Sequence, residues 1–288
     1  MQISGIKNDI EWDYVIRSKR NLLDIRLGEL WDYRDLLYMF VKKDFVTIYK
    51  QTILGPLWFI LQPLLTMVIF IIVFSRIARI PTDGIPASAF YLTGIIIWNY
   101  FSHCLKETSN TFISNVNIYG KIYYPRLINP LAKIISGFIS LFIQFILLII
   151  VIIYLDYKNA DISPVYLYLW LLPVLLLIMI CLALGCGLII SALTTKYRDL
   201  IFIVSFGLQL LMFATPIIYP VSFIPAEYKL YIFFNPLTHI LEACKFLILG
   251  SGEVSIAGLT YATGISMIIL TTGIILFNKT EQDFMDTV

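Results

Sequence analysis

Six long runs of this chain contain almost no charged residue, and the charged residues lie between them. The runs cover residues 53–75, 85–105, 134–155, 162–195, 200–226 and 254–278. Each reaches the roughly 20 residues that a helix needs to cross about 30 Å of hydrocarbon. Backbone N–H and C=O groups at that depth must pair within the protein, and a helix pairs them within its own segment. The pattern therefore predicts an all-α polytopic membrane protein with six transmembrane helices.

Proline and polar positions refine the bounds of these helices. We predict spans at residues 53–75, 85–116, 128–155, 163–193, 200–220 and 254–278, preceded by a cytoplasmic segment at 1–52 and followed by a cytoplasmic tail at 279–288. Residues 221–250 hold an apolar stretch that Asn235 and Pro236 interrupt, and it is too short to cross a membrane. Non-helical backbone at this depth is tolerated only where protein or a watery cavity covers it. We therefore expect short re-entrant helices that line a pathway.

A further helix is expected before the first span, at Arg34–Lys50. On a helical wheel its apolar residues share one broad arc, and its lysines lie mostly opposite. The arc contains Leu36, Leu37, Phe40, Val41, Phe45, Ile48 and Tyr49, and the lysines are Lys42, Lys43 and Lys50. An amphipathic helix of this kind lies in the membrane interface. Its role is either that of an anchor or that of a lever between a cytoplasmic partner and the spans, and the pattern favours neither.

Composition and charge agree with a membrane protein and set its orientation. Hydrophobic residues make up 59% of the chain and charged residues 14%, against about 25% charged residues in soluble proteins. Nine lysines and arginines precede the first span, three lie between spans two and three, two lie between spans four and five, and one follows span six. These fifteen residues would lie on one side of the membrane, and the loops of the opposite side contain five. Because positive residues stay in the cytoplasm, both termini are expected inside. The first fifty residues are charged and lack an apolar core, so no signal peptide is expected.

The chain lacks the residue patterns of common catalytic and metal sites. Gly120-Lys121 is not preceded by the glycine of a phosphate-binding loop, so the chain should not hydrolyse ATP by itself. The two histidines, His103 and His239, lie on different segments without the neighbours that a zinc site requires. The four cysteines are expected to be buried free thiols. We therefore predict no catalytic residue, no metal and no cofactor in this chain, and the net charge of +2 gives no reason to expect a nucleic-acid partner.

The inner half of span two is unusually polar for a membrane helix. His103, Lys106 and Glu107 are followed by several Ser, Thr and Asn residues. Such groups do not face lipid. Either the span ends near Leu105 and the charged residues are solvated, or the span continues and lines the bundle interior or a water-filled path. His103 or Glu107 could also serve as the base of an intramembrane transferase that acts on a lipid carrier, which is an alternative function.

Short motifs along nearly the whole chain are similar, in order and spacing, to those of one family. They are Lys43-Asp44, Tyr49-Lys50-Gln51-Thr52, Leu54-Gly55, Trp58, Gln62-Pro63, Gly94, Trp98, Phe101, Asn115, Tyr124-Pro125-Arg126, Pro130, Tyr197-Arg198-Asp199, Pro216, Ile218-Tyr219-Pro220, Pro225 and Asn235-Pro236. In these motifs the chain resembles the membrane subunit of ABC-2 type polysaccharide exporters, the permeases for O-antigen, capsule or teichoic acid. It departs from the family at Lys43, Ile48 and Lys245, where arginine is common, and this leaves open which cation meets a phosphate or the partner subunit.

The resemblance implies an assembly in the cytoplasmic (inner) membrane. Two copies of this chain would work with two copies of a separate ABC ATPase, which would bind ATP and Mg. The permease dimer would enclose a tunnel for a polyprenyl-pyrophosphate-linked polysaccharide. The ATPase-coupling loops would contain Tyr124, Pro125, Arg126, Tyr197, Arg198 and Asp199, beside the helix Arg34–Lys50. Residues 221–250 would form gating helices, and the outer gate would include Pro216, Tyr219, Pro220, Asn235 and Pro236.

A lipid-linked glycan requires aromatic rings and cations along its path. Sugar rings stack on aromatic side chains. The candidates for tunnel lining are Tyr91, Trp98, Tyr100 and Phe101 of span two, which could equally anchor the helix at the membrane interface. The candidates for the pyrophosphate are Lys43, Lys50 and Arg126, because the topology places them near the cytoplasmic interface. A second alternative is an ABC permease for a drug or small lipid, and the aromatic content favours a glycan.

Overall fold

The computed structural model of the protein describes residues 27–50, 53–119, 124–158 and 164–285, and these residues form helices and loops without a β-strand. The eleven α-helices of this part are α1 (Leu27–Asp32), α2 (Arg34–Lys50), α3 (Trp58–Phe70), α4 (Ala87–Ser109), α5 (Thr111–Tyr119), α6 (Ile128–Tyr157), α7 (Leu172–Thr194), α8 (Leu200–Ala214), α9 (Ala226–Phe234), α10 (Pro236–Leu249) and α11 (Ile256–Met285). A 3₁₀ turn, Gly55–Leu57, precedes α3, and a π-helical segment, Ile71–Ile77, continues it.

Four helical stretches of the described part are long and apolar enough to cross a membrane. They are Gly55–Ile77, Ile128–Tyr157, Leu167–Thr194 and Ile256–Glu281. The helices α9 and α10 pass the same test together but are bent by 100° at their junction, and α8 is a shorter apolar helix. The prediction of an all-helical membrane protein is therefore confirmed. The count of six spans, the re-entrant path of α9 and α10 and the cytoplasmic position of both termini remain predictions.

The fifth predicted span is shorter than expected. Residues 200–220 were assigned to it, but α8 ends at Ala214 and Thr215 is extended, with φ −107° and ψ 141°. Pro216 explains this, because its ring disfavours helical backbone at the residue before it. The following residues Ile217 and Ile218 are buried against the rest of the chain. The bend thus turns the chain from α8 into the segment that leads to α9.

The core of the chain is built around α4. Nearly every side chain from Ala89 to Phe101 is buried, and the helix packs against α3, α6, α7 and α10. On the far side of α7, α11 lies so close that a Cβ on Gly185 would be 2.6 Å from the backbone nitrogen of Leu270, and a Cβ on Gly273 would be 2.5 Å from the carbonyl oxygen of Gly185. Small residues allow two membrane helices to approach in this way. The α7–α11 pair is accordingly in direct backbone contact.

The amphipathic helix α2 packs along α6. Leu36, Leu37 and Phe40 of its apolar arc are partly buried against a small cluster that contains Phe112 and Phe277. This arc therefore rests at least in part on protein, where the sequence led us to expect a membrane surface. One end of the bundle is thereby closed by α2, the loop before α6 and the end of α11.

Candidate functional site

A polar cavity of about 580 Å³ lies between α2, α3, α4 and α6. The periodicity of the α-helix brings the residues that line this cavity onto one face of each helix. On α4 the polar side chains of Asn99, Ser102 and His103 are three to four residues apart and share one face, and Lys106 and Glu107 extend the same face by one turn. On α6 the matching face consists of Lys133, Ser136, Ser140 and Gln144. Two polar stripes thus face each other across the cavity, with Phe59, Tyr100 and Leu141 as apolar patches.

The polar inner half of span two borders the cavity. Its helix continues to Ser109, past Leu105, and His103, Lys106 and Glu107 all line the cavity. His103 and Lys106 are nevertheless exposed and Glu107 is partly exposed, so both interpretations of this stretch remain predictions. Gly137 makes the room for His103, because a Cβ at this position would lie 2.8 Å from Cδ2 of His103. A larger residue at 137 would therefore displace the histidine ring.

Lys133 joins three of the four helices around the cavity. Its Nζ lies 3.1 Å from Oδ2 of Asp44 on α2 and 3.4 Å from Oε2 of Glu107 on α4. The hydroxyl of Ser136 also donates to Oδ2 of Asp44, at 3.3 Å. These side chains are partly exposed, so water screens the ion pairs. The sequence alone did not single out Lys133, although Lys133, Ser136, Ser140 and Gln144 follow one another at steps of three to four residues, which was a usable signal.

The charges around the cavity are unequal in number. Three lysines and two carboxylates line it, and both carboxylates share Lys133. Within the described residues, neither Lys43 nor Lys106 has a carboxylate within 4.0 Å. The ammonium group of Lys43 lies 5.5 Å from the centre of the Phe40 ring. The cavity therefore carries an excess positive charge and is suited to an anion. The described residues contain no cluster of His, Cys, Asp and Glu that could hold a metal ion.

Only one of the four aromatic residues proposed for tunnel lining reaches this cavity. Tyr100 lines it and donates its hydroxyl to the carbonyl of Ile134 at 3.4 Å. Tyr91, Trp98 and Phe101 are 0%, 6% and 2% exposed and belong to the core. Tyr100 is itself only 3% exposed, so all four rings are largely covered by other side chains of the same chain, and their assignment to a substrate path stays a prediction. The hydrophobicity of these side chains indicated that they avoid water, but it did not indicate which surface they contact.

The three predicted phosphate-binding cations are far from equivalent. Lys43 lines the cavity, whereas Lys50 is exposed at the end of α2 and does not. Arg126 is only 4% exposed, with its guanidinium 3.5 Å from the carbonyl oxygen and 4.0 Å from the carboxylate of Glu281 on α11. Its place between the loop and α11 gives it a structural contact, and its binding of a phosphate stays a prediction.

The two predicted ATPase-coupling loops differ in exposure. Tyr197, Arg198 and Asp199 are exposed beside the end of α7. Tyr124, in contrast, is buried with its ring 5.9 Å from Phe40 of α2, Pro125 is partly buried, and the Tyr124 hydroxyl accepts from Asn129 at 2.9 Å. Burial raises the pKa of Tyr124, so its hydroxyl stays neutral. The loop at 124–126 is therefore packed between α2, α6 and α11, and the 197–199 loop offers the free surface.

The residues predicted for the outer gate lie together around the turn between α8 and α10. Asn235 caps α10 through the backbone N–H of Leu237 at 3.0 Å and donates to the hydroxyl of Thr215 at 3.1 Å. Pro236 is the first residue of α10, which fits the sharp bend after α9. The Tyr219 hydroxyl donates to the carbonyl of Phe213 at 2.9 Å. Pro216 and Pro220 are buried in the segment between them.

A buried ion pair, which sequence reasoning missed, fastens this region to α4. Lys245 and Glu242 are 1% and 3% exposed and 3.3 Å apart. Lys245 also donates to the carbonyl of Pro216 and lies 4.0 Å from the centre of the Phe90 ring. The second oxygen of Glu242 accepts from the backbone N–H of Glu253 at 3.2 Å. Every charge in this group therefore has a partner within the protein.

Comparisons with known proteins match this chain over most of its length. The ABC-2 type transporter family model matches residues 35–249. An O-antigen export system permease protein RfbA of Klebsiella pneumoniae is 28% identical over 261 residues, which cover 90% of this chain and 96% of that protein. The protein of the same name from Myxococcus xanthus is 24% identical over 263 residues, 90% of this chain and 98% of that protein. The polysialic acid transport protein KpsM of Escherichia coli is 25% identical over 232 residues, 80% of this chain and 87% of that protein.

Proposed function

Because this chain belongs to the ABC-2 type transporter family, we propose that it is the membrane subunit of an ATP-driven polysaccharide exporter. ATP would be hydrolysed by a separate ABC ATPase, since proteins of this family work with such partners. The relatives named for O-antigen export and polysialic acid transport align over 80–90% of the chain, which supports a glycan as cargo over a drug or small lipid. We place the complex in the inner membrane, with two copies of each subunit.

The observation that carries this proposal is the polar cavity between α2, α3, α4 and α6. Hydroxyl and amide groups from several helices line it and can exchange hydrogen bonds with sugar hydroxyls, while the partly buried Phe59 offers a ring for the apolar face of a sugar. A lipid-exposed surface could not carry these groups. The cavity is therefore the part of the protomer best suited to a glycan, and in a permease dimer it would open towards the tunnel.

The two cavity lysines that have no carboxylate partner among the described residues suit the anionic end of a polyprenyl-pyrophosphate carrier. Lys43 and Lys106 would meet the phosphoryl oxygens, and this assigns the carrier to the α2 end of the cavity. The exposed loop at Tyr197–Asp199 and the helix α2 would contact the ATPase. The transferase alternative receives less support, because Glu107 is paired with Lys133 and the family is one of transporters.

The experiment that tests this function closes the cavity without changing its charges. Gly137→Leu would press on His103 and Tyr100, because a Cβ alone already lies 2.8 Å and 3.1 Å from their ring atoms. Over-packing of this kind costs about 1–3 kcal/mol, and we expect export to fall by roughly tenfold. The measurement is surface polysaccharide in a strain whose own permease gene is replaced by the variant, expressed with the ATPase.

A matched control separates the cavity from general effects of a larger side chain. Gly207→Leu on α8 adds the same groups where nothing lies within 4 Å of the Cβ, and it should leave export unchanged. If Gly137→Leu and Gly207→Leu export the same amount of polysaccharide, at equal amounts of protein in the membrane, the cavity is not part of the glycan path. Failure of the wild-type chain and ATPase to export any polysaccharide would refute the function itself.

A further inference from the structure

We propose that Lys133 recognises the anionic headgroup by counter-ion exchange, a step that rests on the proposed function. The ammonium group of Lys133 is shared between the carboxylates of Asp44 and Glu107. A phosphoryl group that enters the cavity replaces one or both carboxylates on this ammonium group. The ligand class is a phosphate ester or pyrophosphate.

The geometry makes the exchange possible without moving the helices far. Lys133 lines the same cavity as Lys43 and Lys106, so a phosphoryl group that binds the two lysines is brought close to the third. The two carboxylates remain next to water when they are displaced, because the side chains of Asp44 and Glu107 are 17% and 34% exposed. A fully buried ion pair could not open in this way, since its separated charges would lose both partner and water.

The exchange acts on more than one helix. Asp44 belongs to α2, Glu107 to α4 and Lys133 to α6, so the ion pairs hold these three helices together at one end of the cavity. Displacement of Asp44 loosens the contact of α2 with α6 beside the hydroxyl of Ser136, which also binds Asp44. The occupancy of the cavity is thereby communicated to α2.

The exposed surfaces of two helices that border the cavity favour a lipid headgroup over a free anion. Two of its four helices, α3 and α6, bury little of their apolar surface within the chain. Exposed apolar residues on them include Leu65, Ile69, Phe142 and Ile146. A prenyl chain can lie on these surfaces while its phosphates occupy the charged end between α2, α4 and α6. Free pyrophosphate would gain only the charged contacts.

The test measures binding of farnesyl pyrophosphate and of inorganic pyrophosphate to the full-length permease in nanodiscs of neutral lipid. Lys133→Gln should weaken the binding of both probes by about fivefold, the effect of one partly screened charge at short range. Lys133→Arg keeps the charge and should retain most of the affinity. Lys229→Gln is the matched control. Lys229 is 31% exposed and pairs with Glu253 at 2.7 Å, and both residues are distant in sequence from the cavity residues. This variant should change the affinity for neither probe.

A double-mutant cycle distinguishes exchange from a general effect of charge. Glu107→Gln removes a competitor for Lys133 and should tighten pyrophosphate binding by about threefold in the wild-type background. In the Lys133→Gln background the same change should give no gain. A gain of equal size in both backgrounds would overturn the proposal, since it would reflect only the net charge of the cavity. Equal binding by Lys133→Gln and wild type would overturn it as well.

Two further results separate the source of the anion and the underlying function. Tighter binding of farnesyl pyrophosphate than of inorganic pyrophosphate supports the lipid headgroup, and equal binding overturns that assignment. Farnesol, which lacks the anion, should bind independently of Lys133. Export of polysaccharide by the wild-type complex, together with an absent Lys133–Glu107 coupling, would refute the exchange and leave the proposed function intact.

Discussion

At the scale of single residues, the buried pair Lys245–Glu242 has the strongest energetic consequence. Removing two charges from water is costly and is offset only when each charge is paired and hydrogen-bonded. Both conditions hold here, through the carbonyl of Pro216, the Phe90 ring and the backbone N–H of Glu253. The pair therefore fixes α10 against α4 and against the bend after α8.

Breaking this pair should destabilise the protein far more than breaking an exposed one. Glu242→Gln leaves Lys245 without its carboxylate and should lower the free energy of unfolding by about 3–5 kcal/mol. Glu253→Gln, which disrupts the partly exposed pair with Lys229, should cost at most about 1 kcal/mol. Thermal unfolding of both variants in the same detergent provides the measurement. Equal melting temperatures would show that the buried pair contributes no more than the exposed one.

At the scale of elements, two loops that the sequence analysis assigned to the same role differ in how they pack. The loop at 124–126 is packed under α2 through Tyr124 and held to α11 through Arg126. The 197–199 loop between α7 and α8 is exposed. A partner that drives the spans can thus bind the exposed loop directly, whereas it reaches the packed loop only through α2 and α11.

The exposed loop yields a prediction about coupling. Arg198→Glu should abolish co-purification of the ATPase or uncouple ATP hydrolysis from export, because it reverses an exposed charge at the proposed contact. Arg79→Glu reverses an exposed charge on the side predicted to face outward and should affect neither. Co-purification, ATPase rate and surface polysaccharide are measured for both. Normal values of all three for Arg198→Glu would exclude this loop from the contact.

The helices could be predicted from the sequence where they are caused by local features of the chain. The polar cavity could not be predicted in this way. Long apolar runs and prolines placed the helices, and Asn235-Pro236 placed the bend between α9 and α10, because backbone pairing and proline geometry act within a few residues. The cavity depends on which faces of α2, α4 and α6 meet. Its ion pairs join residues distant in sequence, such as Lys133 and Asp44. The hydrophobic pattern likewise could not distinguish the core ring of Tyr91 from the cavity ring of Tyr100, since both avoid water.

At the scale of the whole molecule, the polar cavity and the buried ion pair occupy different layers. The cavity lies beside α2, next to the part predicted to be cytoplasmic, and the ion pair fastens the segment predicted to be the outer gate. The core rings of α4 separate them. Any path from one layer to the other therefore has to run outside the packed core of one protomer, as in the tunnel between two copies that we propose.

The orientation of these layers can be tested in intact cells. Ser222→Cys, exposed before α9, should react with a membrane-impermeant maleimide from outside. Lys279→Cys, exposed near the end of α11, should react only after the membrane is permeabilised. The wild-type chain supplies the background, because two of its four cysteines are buried and two partly buried. Labelling of both positions from the same side would contradict a topology of six spans with both termini inside.

The backbone contact between α7 and α11 determines which parts of the molecule can move. Two packed helices usually slide past each other because their side chains change rotamer. Gly185 and Gly273 have no side chain that could rearrange in this way. The two helices therefore behave as a single stiff frame. Neither α7 nor α11 lines the cavity, so any change in its volume must be absorbed by the helices that do, α2, α3, α4 and α6, beside this stiff frame.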